Sequence, residues 1–251
     1  MTEFAAVTEL AAATPMSGGP GQQAPAGDWR MGEVVQIAHP RPDAVVVRLH
    51  IPDRVDHLPG QHYVIRLTAD DGYRAQRSYS VASAPADPLV EFYIEQLPDG
   101  EVSGFLADGL TVGEQLAVRG PIGGWFVWDG QSNALAVGGG TGVVPLVAML
   151  RHARDVGTAH LLQVVAAART LGELPYAAEL VDGRAVLALS REDRSDRPAG
   201  RLVGADLGQP DRGLPVYVCG STGFAETASR LLVDLGVDPA GIRVERFGPS
   251  G

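Results

Sequence analysis

The chain has 251 residues, 45% of them hydrophobic, with 30 acidic against 20 cationic side chains and a formal charge of −10. With a mean hydropathy of +0.04, that composition supplies a sizeable core and excludes wholesale disorder; the acidic balance argues against a nucleic-acid backbone as the main ligand, because phosphate contacts need cations. The one cysteine, Cys219, excludes an intramolecular disulfide, a thiolate zinc site and a four-cysteine iron–sulfur cluster. All 20 cations are arginine, which excludes Schiff-base lysine chemistry and a phosphate-loop lysine.

Residues 1–27 are dominated by Ala, Gly, Pro, Gln and Thr and read as a flexible tail, with a short helix over 3–13 as its one structured option. The first cation is Arg30, so the N-terminus lacks the charged start of a signal peptide, and no apolar run reaches 18 residues. The cytoplasm is the expected location.

From Trp29 the pattern changes to short alternating segments. Strands are predicted over 32–37, 44–51, 62–67, 76–81, 90–96 and 115–119, separated by turns at 40–43, 59–60, 70–72, 85–88 and 98–100. A helical segment over 102–108 interrupts them. This spacing predicts an antiparallel barrel over 28–129. Over 130–251 strands alternate with helices: strand 134–137, helix 143–154, strand 161–167, helix 174–181, strands 185–189 and 216–219, helix 224–235 and strand 242–247. That rhythm predicts right-handed βαβ units and a doubly wound parallel sheet.

Gly138-Gly139-Gly140-Thr141-Gly142 lies between a buried strand and a helix, where a glycine turn lets the backbone approach a pyrophosphate at a helix N-terminus. Glycine turns of this kind also serve tight packing, and the spacing is not GxGxxG. A site preferring NAD ends its second strand in an acid; here that strand ends in Ala168-Arg169-Thr170 and the next in Ser190-Arg191. Two arginines and a hydroxyl suit a 2′-phosphate, which favours NADPH over NADH. Arg191 also reads as part of a solvated run, Arg191-Glu-Asp-Arg194.

Arg77-Ser78-Tyr79-Ser80 ends a barrel strand, and Gly138–Gly142 and Val218-Cys219-Gly220 follow it in order. With these motifs the chain resembles the ferredoxin–NADP reductase family, and within it the reductase components of bacterial oxygenases without a fused iron–sulfur domain. The resemblance covers about 28–251. It implies a six-stranded Greek-key barrel that binds FAD, then an α/β domain that binds NAD(P)H. Arg77 would pair with a flavin phosphate, Tyr79 pack on the isoalloxazine and Ser80 hydrogen-bond near the flavin N5. The turn Gly100-Glu101-Val102-Ser103 would present amides to the FAD pyrophosphate, with Ser103 also read as a plain N-cap. Gly120-Pro121-Ile122-Gly123 matches the turn that closes the barrel, and His62 in the strand entry reads as a barrel-surface residue.

The resemblance also places Thr141 and Cys219 where nicotinamide meets flavin, with Ser221 and Thr222 as pyrophosphate or ribose contacts. Phe247 either stacks on the flavin or packs the last strand. Together Ser80, Thr141 and Cys219 form the expected reaction centre. Hydride would pass from NAD(P)H to FAD, and electrons then leave to a separate acceptor such as a ferredoxin or an oxygenase component. Arg48, Arg54, Arg66 and Arg74 are the candidates for a basic docking patch, and the fold-level likeness suggests a monomer. The competing reading is a non-catalytic flavin- or nucleotide-binding subunit that regulates or channels electrons in a larger complex.

Overall fold

A computed structural model describes residues 27–247. The tail read over 1–27 therefore lies, except for Gly27, outside the described residues.

Six antiparallel strands build the first unit: β1 (Arg30–Arg41), β2 (Ala44–His50), β3 (His62–Thr68), β4 (Arg74–Ser80), β5 (Val90–Glu95) and β6 (Gln115–Ile122). Their order is β4-β3-β6-β1-β2-β5, with β6 inserted between β1 and β3. A bridge from Val81 to Phe92 joins the two edge strands and closes the barrel. Alternation explains the interior: Val45, Val47 and Leu49 of β2 are fully buried with Ile65, Phe92, Ile94 and Val118. A short helix, α1 (Glu101–Gly104), widens into a π turn over Phe105–Gly109 and buries Val102 and Leu106 against this core.

Strand β1 runs longer than its sequence pattern, because register shifts at Val34/Gln36 and Ala38/Arg41 let it bend around the barrel. It carries Pro40 and Arg41 inside the ladder, so the turn expected at 40–43 shrinks to Pro42-Asp43. A second correction concerns the turn expected at 120–123. Residues Gly120 to Ile122 belong to β6, and the chain turns only at Gly123.

The second unit is a five-stranded sheet whose strands are all parallel, in the order β11-β10-β7-β8-β9. These are β7 (Ala134–Gly139), β8 (Leu162–Ala168), β9 (Val186–Leu189), β10 (Val216–Ser221) and β11 (Ile242–Phe247). Helices α2 (Val144–Asp155) and α3 (Ala177–Asp182) cover one face, through Leu146, Leu150 and Leu180. Helix α4 (Thr222–Asp234) covers the other, through Ala225, Ala228 and Leu232. Helices on both faces make the fold doubly wound, and the strand order reverses between β7 and β10. The helix expected over 174–181 starts late. Pro175 disfavours helical backbone at Leu174, and Tyr176 takes a left-handed φ of 55° before α3 begins at Ala177.

Phe126 and Trp128, in the connection between β6 and β7, are buried in the core of the second unit. The units also meet through Ala44, Ala82 and Tyr93 of the barrel side and Val144 of α2.

Candidate functional site

Strand β4 is the edge strand beside α1, and it carries the Arg77 to Ser80 motif. Its register opposes Tyr79 to Tyr63, Arg77 to Ile65 and Ser80 to His62. Since directly paired residues share a face, Arg77 and Tyr79 stand on the side of buried Tyr63 and Ile65. Tyr79 is partly buried against the barrel core, and burial pushes its phenol well above the ordinary range, so it stays neutral. Arg77 is exposed and, among the described residues, donates only to the carbonyl of Gln76, at 2.7 Å. Ser78 is exposed on the opposite side of the strand.

Ser80 is the informative member of this motif. It is 6% exposed, and its Oγ is buried without a hydrogen-bond partner among the described residues. A buried orphan hydroxyl costs about 1–3 kcal/mol and calls for an explanation. Tyr63, one step away across the ladder, also buries an unpartnered hydroxyl. His62 is partly buried at the start of β3, and burial holds its imidazole below the ordinary value.

Helix α1 packs beside β4, and the Tyr73 hydroxyl donates to Glu101 at 3.2 Å. Its N-cap is Gly100, not Ser103. The Ser103 hydroxyl instead accepts from the Leu97 amide at 3.2 Å and donates to the Gly100 carbonyl at 3.3 Å. Ser103 is thereby the clasp of the turn, and the first-turn amides of Glu101, Val102 and Ser103 have no intrahelical acceptor.

The second half of the site lies at the carboxyl ends of β7 and β10, either side of the reversal in strand order, where open α/β sheets bind ligands. Gly139 ends β7, and Gly140, Thr141, Gly142 and Val143 form a single tight helical turn leading into α2. Two of these glycines are required for different reasons. A Cβ on Gly142 would lie 2.2 Å from the Cys219 carbonyl oxygen, so its role is close packing of the turn against β10. Gly140 has a φ of +56° with open space where a Cβ would stand, so its role is backbone conformation on a free surface.

Cys219 pairs with Gly138 on one side and Glu245 on the other and is fully buried. Burial, reinforced by Glu245, pushes its thiol well above the ordinary value, so it is a neutral group and not a nucleophile. Glu245 is the residue that the sequence reading missed. Burial raises its carboxyl from 4.5 to about 8, and it makes no ion pair among the described residues. Gly220 follows Cys219 in β10; Ser221 caps α4, accepting from the Phe224 amide at 3.3 Å, so its hydroxyl is engaged. Phe247 ends β11 partly buried against the core.

The cations read at the ends of β8 and β9 are neighbours. The Ser190 amide donates to the Ala168 carbonyl at 2.9 Å and the Arg191 amide to that of Arg169 at 2.8 Å. Arg169 pairs with Glu173 at 3.2 Å in an exposed contact. In the run after β9, Glu192 accepts from the Leu171 amide at 2.7 Å and Arg194 pairs with Asp196 at 3.1 Å. Arg191 is exposed and has no ion pair among the described residues. Two candidates for a docking patch are spoken for inside the molecule. Arg48 pairs with Asp87 at 2.5 Å, and Arg54 with Asp56 at 3.4 Å and the Asp87 carbonyl. Arg66 stacks on Trp29, 3.9 Å from the ring centroid, and Arg74 is exposed.

FAD fits the residues present. Among the described residues the Ser80 hydroxyl lacks a polar partner and the Arg77 guanidinium lacks an anion, and the first turn of α1 offers amides beside β4.

Residues 32–127 match the model of the oxidoreductase FAD-binding domain. The reductase component of propane 2-monooxygenase from Rhodococcus jostii is 30% identical over 78% of this chain and 57% of its own length. The glycine betaine monooxygenase reductase subunit of Chromohalobacter salexigens is 33% identical over 76% of this chain and 56% of its own length. The chain thus spans little more than half the length of these curated relatives. Among solved structures, the flavohem-like FAD/NAD binding domain of nitric oxide dioxygenase from Vibrio cholerae superposes with a TM-score of 0.77, covering 88% of this chain and 99% of that one at 24% identity. The barrel followed by a doubly wound sheet, the oxidoreductase FAD-binding domain over 32–127 and these relatives together make the chain similar to the ferredoxin–NADP reductase family, and within it to the reductase components of oxygenases.

Proposed function

We propose that this protein is an FAD-dependent oxidoreductase that takes hydride from NAD(P)H and passes electrons to a separate protein acceptor, an oxygenase component or a ferredoxin. The observation that carries the reading is the Ser80 hydroxyl, buried without a partner at the end of the barrel strand that bears Arg77 and Tyr79. When bound, FAD supplies the hydride acceptance and the stepwise electron release that no side chain provides.

Each residue then has a task. Arg77 and the first-turn amides of 101–103 hold the two phosphates. Tyr79 lays its ring against the isoalloxazine, and Ser80 donates its hydroxyl proton to a flavin ring acceptor. The turn over Gly139 to Gly142 brings backbone against the coenzyme pyrophosphate, and Thr141 and Cys219 flank the nicotinamide. Glu245, neutral at physiological pH, keeps a proton on its carboxyl beside Cys219. Phe247, partly buried at the end of β11, would pack its ring beside the flavin.

NADPH is the favoured donor. Arg191 has no competing carboxylate among the described residues, and an exposed pair such as Arg169 with Glu173 is worth under about 1 kcal/mol, so a 2′-phosphate displaces it. The test is to purify the protein, quantify FAD and assay NADPH and NADH oxidation with an artificial one-electron acceptor. Bound FAD with acceptor-dependent turnover, faster with NADPH, is expected. Flavin binding without turnover would instead support a non-catalytic subunit.

A further inference from the structure

Two arginines cross between the units: Arg41 of β1 donates to the Glu173 carbonyl at 2.6 Å, and the larger cluster centres on Arg151, which nothing in its local sequence announces. Arg151 lies seven residues into α2, the helix that grows out of the Gly139 to Gly142 turn. Its guanidinium reaches into the barrel, donating from Nη1 to the Ala82 carbonyl at 3.0 Å and to Glu91 Oε1 at 2.8 Å. The other edge of the same group forks onto Glu179 of α3, at 2.9 Å from Nε and 2.6 Å from Nη2. Tyr176, ahead of α3, donates its hydroxyl to Glu91 Oε1 at 2.8 Å and lies under the guanidinium, with 4.9 Å between Cζ and the ring centroid.

The barrel side of this junction is rigid for its own reasons. Glu91 is 8% exposed in β5. Its amide donates to Ser83 Oγ at 3.0 Å and its carbonyl accepts from the Ala82 amide at 2.8 Å. Arg48 braces its other oxygen from 3.3 Å. Ala82 stands two residues after Ser80 on the same extended chain, about 7 Å along it. Thr141 stands ten residues before Arg151, at the foot of α2, about 15 Å along the helix.

Burying an arginine between two glutamates rarely adds net stability, because desolvation offsets the attraction. The apolar part of the interface, Ala44, Ala82, Tyr93 and Val144 with Phe126 and Trp128 of the connection, is non-directional and leaves the two units room to slide. A forked guanidinium with four fixed acceptors does not.

We infer that Arg151, seated on Glu91 and the Ala82 carbonyl, is a positioning residue that sets the nicotinamide-binding turn at its working distance from Ser80. It touches neither coenzyme nor flavin and acts through α2 and through the strand running from Ser80. The inference rests on the proposed hydride-transfer reading, but its structural half is separable.

The test uses the full chain with Val35→Cys and Val233→Cys, exposed positions on the barrel and on α4, as spin-label sites; Cys219 is fully buried. Electron–electron distance measurements read the spacing of the two units, and single-turnover flavin reduction at saturating NADPH reads the chemistry. In Arg151→Gln and in Glu91→Gln the distance distribution is expected to broaden. The reduction rate constant is expected to fall roughly 10–100-fold, as a misplacement of about 1 Å implies, with coenzyme Kd and FAD content within about threefold of the parent. Arg151→Lys restores the charge but not the fork and is expected to recover only part of both. The paired variant Arg151→Gln with Glu91→Gln is expected to be no worse than either alone. An unbroadened distribution, or a broadened one with a reduction rate within twofold of the parent, overturns the inference. A loss of melting temperature alone, with rate and distances intact, reduces the cluster to a structural brace and also overturns it. If the parent holds FAD but NADPH does not reduce it, the functional reading fails while the distance measurement still decides whether Arg151 fixes the two units.

Discussion

Cys219 and Glu245 sit side by side on β10 and β11, a thiol and a carboxyl both held in their neutral forms by burial at the carboxyl edge of the sheet. On its other edge Cys219 pairs with Gly138 of β7, so the thiol stands between Glu245 and the strand that leads into the glycine turn. The pair gives the site a proton-holding group without a fixed charge where a nicotinamide is proposed to bind.

Its pH dependence has a definite sign. The carboxyl of Glu245 titrates near 4.5 in an unfolded chain and about 8 in the native one. Between those values the native state holds one more proton, so its contribution to stability is complete below pH 4.5 and is lost as pH rises toward 8. The variant Glu245→Gln lacks this slope. Denaturant unfolding of the flavin-free protein at pH 5 and pH 8 is expected to show the variant gaining on the parent by on the order of 2–3 kcal/mol at the higher pH. Parallel profiles would contradict the burial argument.

Ser80→Ala separates a binding role from a packing one. In the flavin-free protein the change removes an unpartnered buried hydroxyl, so stability is expected to hold or to rise by about 1 kcal/mol. In the loaded protein the same change is expected to slow flavin reduction at least tenfold. Melting curves with and without FAD read the contrast, and destabilisation of both forms alike would place Ser80 in the fold only.

Arg77 is exposed and bonded only to the carbonyl of its neighbour. Arg77→Ala is therefore expected to leave the melting temperature of the flavin-free protein nearly unchanged. FAD affinity is expected to fall roughly 10–100-fold, the range for a lost charge-assisted hydrogen bond. Fluorescence titration of the stripped protein with FAD checks this, and an unchanged Kd would remove Arg77 from the phosphate site.

The proposed coenzyme preference rests on Arg169 and Arg191, whose backbones are bonded at 2.8 Å across the ends of β8 and β9. Arg169→Asp is expected to lower kcat/KM for NADPH about 10–100-fold and to leave NADH within about threefold. Equal losses for both coenzymes would mean the arginines hold something common to the two, not the 2′-phosphate.

The barrel and the parallel sheet were legible because alternation and βαβ rhythm are local signals. Each predicted strand has its counterpart, with ends displaced where tertiary contacts extend a ladder, as at Gly120 to Ile122 beside β3. The helix at 174–181 was misread because its apolar period outweighed the constraint from Pro175. Within the site, the glycine turn and the Arg77 to Ser80 strand stand out as motifs. Glu245 and Arg151 do not, since each takes its meaning from a partner far along the chain. Arg151 meets Glu91 from 60 residues away, and no window of sequence contains both. Ser103 was assigned the right turn but the wrong position in it, because an N-cap glycine gives no side-chain signal.

The most direct test of the account is anaerobic mixing of the FAD-loaded protein with NADPH, followed by flavin absorbance. The account predicts complete bleaching within a single turnover, at lower coenzyme concentration with NADPH than with NADH. A bound flavin that stays oxidised at saturating concentrations of both coenzymes would contradict it.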